Sequence, residues 1–486
     1  AWDYSKNILE SCDENGILFT NGDNDTFPVW YLQEVEGIRK DVQVINLSLL
    51  NTGWYIGQLK KNMPEYIRYT EKQIDEYFDQ HHMTSDGFMR RYWPEKKKIQ
   101  LPATDSSEKI EWEFGPTMQV NVQGKSEGFI KIQDQMVLEL IAYNAQMDWK
   151  RPIYFAVTVG NSNFVGLDEW MRMDGLCFRV VDYKADKGID PKVVYERILG
   201  RYLPAYRNLS NPDIYFDDNI QRLLQNYRSA FLQLAIYFDE TKINNDEMED
   251  TQSLDLKINY DYIEFYKFST NDKKRYILAK MEELIPSYII PFSNEMVVAE
   301  IAGMYSDVGE SDRGKELING VDIKTLSLKK KIRFLLYTAS RGYGEHSIGI
   351  LDKILNEIEL MPEKKEKYEK YFELYAGFVR VDEKMIVDKI SEFILDKISS
   401  IRDQVLMNAL FKEFGVIVYQ GGNKDFAIKV IEKYLTINSK DLEAIDLLYQ
   451  IYAISKDDKK ALEAVERYLA IEPDNKEYLA IKADLE

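Results

Sequence analysis

Cysteine and histidine are nearly absent: 486 residues hold two cysteines, Cys12 and Cys177, and three histidines. Two thiols cannot make a disulfide framework or a four-thiolate zinc site. Buried thiols are expected, with one disulfide open to them in an oxidising compartment if their α-carbons come within reach. His81 and His82 are adjacent rather than spaced along one helix face, and His346 is remote in sequence, so a surface loop is the expected place for the pair. Gly-x-Ser-x-Gly, a phosphate loop and a Cys/His dyad are all missing, and no catalytic constellation stands in the sequence. No run of about 18 apolar residues occurs, so no segment is expected to cross a bilayer as a helix. Basic charge is in deficit, 63 Lys and Arg against 82 Asp and Glu, which repels polyphosphate and leaves nucleic acid an unexpected partner. The chain starts at Ala1 without a charged and then apolar leader, which reads as a mature or trimmed piece of something larger.

What is present suffices for several cores. The 45% apolar and 13% aromatic content excludes disorder, and the length implies two to four units. Residues 1 to about 60 read as helix, strand, helix, strand, helix: Trp2–Cys12, Ile17–Thr20, a helix opened by Pro28, a strand over Val42–Leu50, and a further helix before Lys61. Strands joined by a helical crossover form a βαβ unit with parallel pairing. Ile153–Val159 and Leu176–Val181 supply further strands, the first preceded by a helix over Asp134–Met147, while residues 62–130 are less regular.

From about 190 the pattern is helical. Ile220, Leu223, Leu224, Tyr227, Phe231, Leu234, Ala235 and Phe238 keep one amphipathic seam. Residues 241–256 are polar and read as a mobile connection. Near the end, DFAIKVIEKYLTINSKD from Asp425 superposes on KKALEAVERYLAIEPDN from Lys459, pairing Ala427 with Ala461, Ile431 with Val465 and Tyr434 with Tyr468. Phe411 matches Ile445 and Phe414 matches Leu448 at the same offset of about 34 residues, the tetratricopeptide period. A degenerate copy is expected around Ile301, Ala302, Tyr305, Gly314 and Ile318.

The expected fold class is therefore an α/β N-terminal domain, a small mainly parallel sheet with helical crossovers over 1–187, followed by an all-α helical-repeat region. Within the latter, 188–256 is a helical connector and polar linker, 257–402 a helical-hairpin region, and 403–486 tetratricopeptide-like repeats.

Two stretches carry chemistry. Asn21-Gly22-Asp23-Asn24-Asp25-Thr26 follows the first strand, and open α/β sheets bind ligands beyond their strands' carboxyl ends. Asp23 and Asp25 fit a divalent cation of the Asp-x-Asp kind found in sugar-nucleotide transferases. Alternatively the acids clamp a sugar or peptide, with Tyr31, Trp54 and Tyr55 as aromatic faces. A third reading is architectural, with Asp25 or Thr26 capping the next helix, a task that does not need Asp23. The second stretch is basic: Arg90, Arg91, Lys96, Lys97 and Lys98 surround Tyr92 and Trp93, either as a lipid-headgroup contact at a membrane surface or as a solvated loop.

The stretch Ile17–Lys60 also resembles a bacterial membrane-protein family, domain of unknown function 2723, related to the protein O-mannosyltransferases of the multi-spanning glycosyltransferase class. The resemblance rests on Gly22-Asp23, Tyr31-Leu32, Glu36-Gly37-x-Arg39, Asp41-Val42, Leu49-Leu50 and Trp54-Tyr55, with Arg151-Pro152-Ile153-Tyr154-Phe155 and Asn226-Tyr227-Arg228 further on. It implies an N-terminal transmembrane region carrying the chemistry, a lipid-linked sugar donor, and a following α/β and helical-repeat region on the external side. No such membrane portion lies in this chain, so no catalytic residue carries over. What the resemblance implies is a non-catalytic region at the periplasmic face of the inner membrane, serving acceptor recognition or scaffolding, with Asp23 and Asn24 contacting acceptor or donor. Its expected partners are an acceptor protein or peptide, its own N-terminal transmembrane region and the membrane surface. No cofactor is expected, a divalent cation being the alternative. The rival functions are a metal-dependent sugar-nucleotide transferase on Asp23 and Asp25, and a structural interaction module of an envelope assembly.

Overall fold

The computed structural model describes residues 1–77, 90–104, 108–122, 124–185, 188–200, 205–240 and 256–486. His81 and His82 lie outside the described residues, as does nearly all of the polar stretch 241–256. The chain divides into two units, 1–293 and 294–486.

In the first unit, α1 (Trp2–Glu10), β1 (Ile17–Thr20), α2 (Asp23–Glu34), β2 (Gln43–Asn46), α3 (Gly53–Asn62) and α4 (Glu71–Tyr77) follow in order. Next come β3 (Arg90–Tyr92), β4 (Lys97–Pro102), β5 (Lys109–Phe114), β6 (Met118–Val122), β7 (Lys125–Lys131), α5 (Ile132–Gln146) and β8 (Ile153–Ala156). The unit finishes with β9 (Met171–Met173), β10 (Cys177–Val180), α6 (Pro191–Ile198), α7 (Asp218–Glu240), α8 (Tyr262–Tyr266) and α9 (Thr270–Leu284).

The main sheet has five strands in the order β2-β1-β8-β10-β9. Strands β2, β1 and β8 are parallel, with Ile17 beside both Gln43 and Ile153, and β1 is buried at every residue, as a central strand covered on both faces must be. The α/β fold class holds, and the sheet is mixed because β10 and β9 form an antiparallel hairpin on its edge. Residues 62–130, less regular in sequence, hold β3 to β7. Alternating short runs such as Lys109–Phe114, with Ile110, Trp112 and Phe114 buried, pair into a two-stranded and a three-stranded sheet.

Helix α2 corrects the expected start at Pro28. It begins at Asp23, because Asp25 reaches back to accept from the Asn21 and Gly22 N–H groups at 2.8 and 2.9 Å, and Pro28 falls inside the helix. Having no N–H, Pro28 returns nothing to the Asn24 carbonyl four residues earlier.

The second unit is helical throughout its regular elements: α10 (Glu295–Asp307), α11 (Ser311–Asn319), α12 (Leu328–Thr338), α13 (Gly344–Glu359), α14 (Lys365–Arg380) and α15 (Lys384–Ser399). After them come α16 (Gln404–Gln420), α17 (Lys424–Ile437), α18 (Leu442–Ile454), α19 (Asp458–Leu469) and α20 (Lys476–Leu485). Consecutive helices pack as hairpins, α10 with α11 through α18 with α19. Side-chain caps from Asp403, Asn423, Asp441, Asp457 and Asn475 start the last five. The residues paired at the internal offset occupy equivalent places: Phe411 and Ile445, Phe414 and Leu448, Ala427 and Ala461 are all fully buried. Gly314, in the degenerate copy, lets α11 approach α10 closely, since a Cβ there would collide with the Tyr343 hydroxyl and meet the Ala302 carbonyl at 2.9 Å.

Among the described residues no helix is long and apolar enough to cross a membrane.

Candidate functional site

The loop after β1 opens on a cleft of about 800 Å³ within the first unit. Its rim is Asn21, Gly22, Asp23, Asn24 and Asp25 with Pro28 and Thr158. One wall is the first turn of α1, Ala1 to Ser5. The other is apolar, built from Leu209, Ile214 and Phe216 and from Ile220, Leu223 and Leu224 of α7. The amphipathic seam of α7 is thus divided: Phe231, Leu234 and Ala235 are buried, whereas Ile220 remains 41% exposed at the cleft, as does Ile214 ahead of the helix at 39%.

The loop residues fall into two groups. Asp25 is buried and its carboxylate is engaged: besides the two backbone N–H groups it accepts the Thr158 hydroxyl at 2.5 Å. Thr26 is fully buried; its hydroxyl donates to the Gly22 carbonyl at 2.5 Å, lies 2.7 Å from the Thr20 hydroxyl and accepts from Asn46 Nδ2 at 2.9 Å. These two residues set the turn. Asp23 and Asn24 are exposed on the first turn of α2, where free N–H groups and the helix dipole concentrate, and neither side chain forms a hydrogen bond or ion pair among the described residues. The cleft therefore offers the Asp23 carboxylate and the Asn24 amide along one edge, against an apolar wall.

Basic charge at the cleft is already matched. Arg207 stacks over the Trp2 ring at 4.5 Å, and its Nε donates to Asp3 at 2.8 Å.

The aromatic faces are not gathered on this cleft. Tyr55 is buried, its hydroxyl accepting from the Asn46 N–H at 3.0 Å, and burial pushes it up to about 12. Tyr31 and Trp54 are half exposed or more, 50% and 63%, but line no part of the cleft. Trp54 belongs instead to a run of ring contacts, Phe27–Trp30–Tyr55–Trp54, with centroids 5.8, 6.4 and 5.6 Å apart.

The basic cluster is split between two small sheets. Arg90 and Arg91 sit on β3 opposite Lys131 and Ile130, while Lys97 and Lys98 sit on β4. Lys98 is ion-paired with Glu111, and the Lys97 ammonium lies over the Trp93 ring at 4.1 Å. Trp93 is itself anchored by donation to the Phe114 carbonyl at 3.1 Å, and Lys96 is solvent-facing. None of these lines the cleft.

The remaining sequence motifs are architectural. Arg39 grips Asp41 with two bonds of 2.9 Å and donates to the Leu9, Cys12 and Asp13 carbonyls at 2.9, 3.0 and 3.1 Å, closing the end of α1. That grip holds the Asp41 carboxyl below the usual carboxylate range. Arg151 donates to the Asn15, Gly16 and Asp41 carbonyls at the amino ends of β1 and β2. In Asn226-Tyr227-Arg228, Asn226 donates to the Tyr4 hydroxyl and Tyr227 Oη accepts from Asn7, at 3.0 and 2.5 Å. Arg228, buried and pulled down to about 10 by desolvation, donates to the Ile285, Ile290 and Pro291 carbonyls at 2.9, 2.5 and 3.1 Å.

The walls contributed by residues 205–216 and by α7 were not recognised as a site in the sequence. Their one legible signal is an apolar run, Ile214-Tyr215-Phe216, set between polar residues just ahead of the apolar seam residues that open α7.

A search of curated proteins finds no match. Residues 1–83 and 95–197 match the model of a protein family described as TMEM260-associated domain 2, a match that includes the loop after β1 and ends before α7.

Proposed function

We propose that this chain is the non-catalytic extramembrane region of a membrane-bound protein glycosyltransferase of the O-mannosyltransferase-like kind, facing the periplasm, and that its cleft receives an acceptor protein or peptide. The observation that carries the reading is the cleft itself: an apolar wall opposite a rim whose Asp23 and Asn24 have no partner among the described residues. A peptide meets such a surface with side chains toward α7 and backbone or polar groups toward the rim. The matched family model supports the membrane link, since its description names a transmembrane protein. The helical hairpins after residue 403, with their tetratricopeptide-type period, suit a second contact with the same acceptor or with the membrane region.

A metal-dependent transferase on Asp23 and Asp25 is the weaker reading. It would draw on a carboxylate already holding three donors, and no group of three or more His, Cys, Asp or Glu suited to a metal occurs among the described residues.

Two experiments test the choice. Calorimetry of this chain with manganese and a sugar nucleotide is expected to show no binding; saturable heat would favour the transferase. Deleting residues 403–486 from the intact gene product is expected to lower acceptor glycosylation in cells, and unchanged modification would remove the repeats from recognition.

A further inference from the structure

The two cysteines, 165 positions apart in sequence, meet. Cys12 follows the last turn of α1 and Cys177 opens β10; their sulfurs are 3.9 Å apart, and both thiols point at the Ile8 carbonyl, at 3.7 and 3.6 Å. Both are buried and free. The backbones around them are held in place. The Leu176 N–H donates to Ser11 Oγ at 3.0 Å, and Gly175, at φ +77°, leaves so little room that a Cβ would lie 2.8 Å from the same oxygen. One residue beyond Cys12, Asp13 holds Arg179 and Arg197, each at 2.7 Å. Closing the remaining gap to a disulfide length asks the sulfurs for about 2 Å of combined movement, within reach of χ1 adjustment.

We propose that Cys12 and Cys177 are an oxidation site, forming a disulfide that bolts α1 to the main sheet. The oxidant is an external disulfide. One protein thiolate attacks its S–S bond and releases one external thiol; the second protein thiolate attacks the protein sulfur of the mixed disulfide, forms the Cys12–Cys177 bond and releases the second. Two protein thiols are oxidised and one external disulfide is reduced to two thiols. Burial raises the Cys177 thiol and shields both sulfurs, so the bond closes while the chain is folding or transiently open. The consequence reaches the cleft, because the helix so fixed carries Trp2, Asp3, Tyr4 and Ser5 on the cleft wall.

The test is to refold the chain in mixed oxidised and reduced glutathione, denature it, alkylate it with iodoacetamide and map the peptides. The expected result is loss of both alkylatable thiols, a crosslinked peptide pair containing Cys12 and Cys177, and an unfolding temperature that falls by roughly 5 °C on reduction. The fall should be absent in Cys12→Ser and, should that variant fold poorly, in Cys177→Ala. Two alkylated cysteines per refolded chain, or glutathione trapped on one of them, would overturn the proposal; so would a crosslinked chain whose melting ignores reductant.

Discussion

The two ends of the same parallel strands are built to opposite plans. At the amino ends of β1 and β2, the motif residues Arg39, Asp41 and Arg151 are engaged with carbonyls and with one another. At the carboxyl end of β1, Asp25 and Thr26 are engaged in the same way, yet Asp23 and Asn24 beside them face a cleft with their side chains uncommitted. The contrast teaches that a dense polar motif need not be a site. Its members divide by whether the fold already uses their hydrogen bonds.

That division predicts a descending series of stability effects. Arg39→Ala should cost the most, about 3 kcal/mol in denaturant unfolding, because it strands an ion-pair partner and three carbonyls. A loss below about 1 kcal/mol would show that water replaces the clamp and would break the comparison. Asp25→Ala should cost about 1–2 kcal/mol by removing the acceptor of two backbone N–H groups and the Thr158 hydroxyl, and Asp25→Asn less. If Asp25→Ala were neutral, Asp25 would join the uncommitted group.

The Asp41 carboxyl supplies a smaller effect with a definite sign. Its folded pKa is depressed by the Arg39 bond, so its contribution is present above the unfolded value near 4 and is lost as pH falls through the lower folded value. Unfolding free energy followed from about pH 5 to about pH 2 should therefore fall less steeply in Arg39→Ala than in the parent chain. Equal slopes would remove Asp41 from the clamp. Smallest of all, Asp23→Ala together with Asn24→Ala should change stability by no more than about 0.5 kcal/mol, as exposed residues without partners do.

How far the sequence reached follows the same physics. Hydrophobic period and turn residues located β1, β2, β8, β10 and the helices α1, α3, α5 and α7, and the offset of about 34 residues located the final hairpins, because those signals are local or repeat. The helix start moved from Pro28 to Asp23 because a side chain reaching back to the Asn21 and Gly22 N–H groups outweighs the local preference of proline for a first turn. Strands β3 to β7 are harder to read: runs such as Lys109–Phe114 and Met118–Val122 do alternate apolar with polar residues, but each is too short for that period to stand out from a loop. The cleft was half legible: strand-end logic pointed to the loop, but the opposite wall comes from residues about 190 positions later, and only tertiary packing brings Ile220 and Leu223 to face Asp23. The aromatic residues show the converse. Tyr31 and Trp54, near the loop in sequence, lie off the cleft in space.

The most direct test of the cleft as a recognition site is acceptor glycosylation in cells by the intact gene product carrying Asp23→Ala and Asn24→Ala, measured beside its unfolding temperature. Modification is expected to fall by about tenfold, the equivalent of roughly 1.4 kcal/mol of lost recognition, while unfolding stays within about 1 °C of the parent. Full modification by a normally folded double variant would contradict recognition at the cleft.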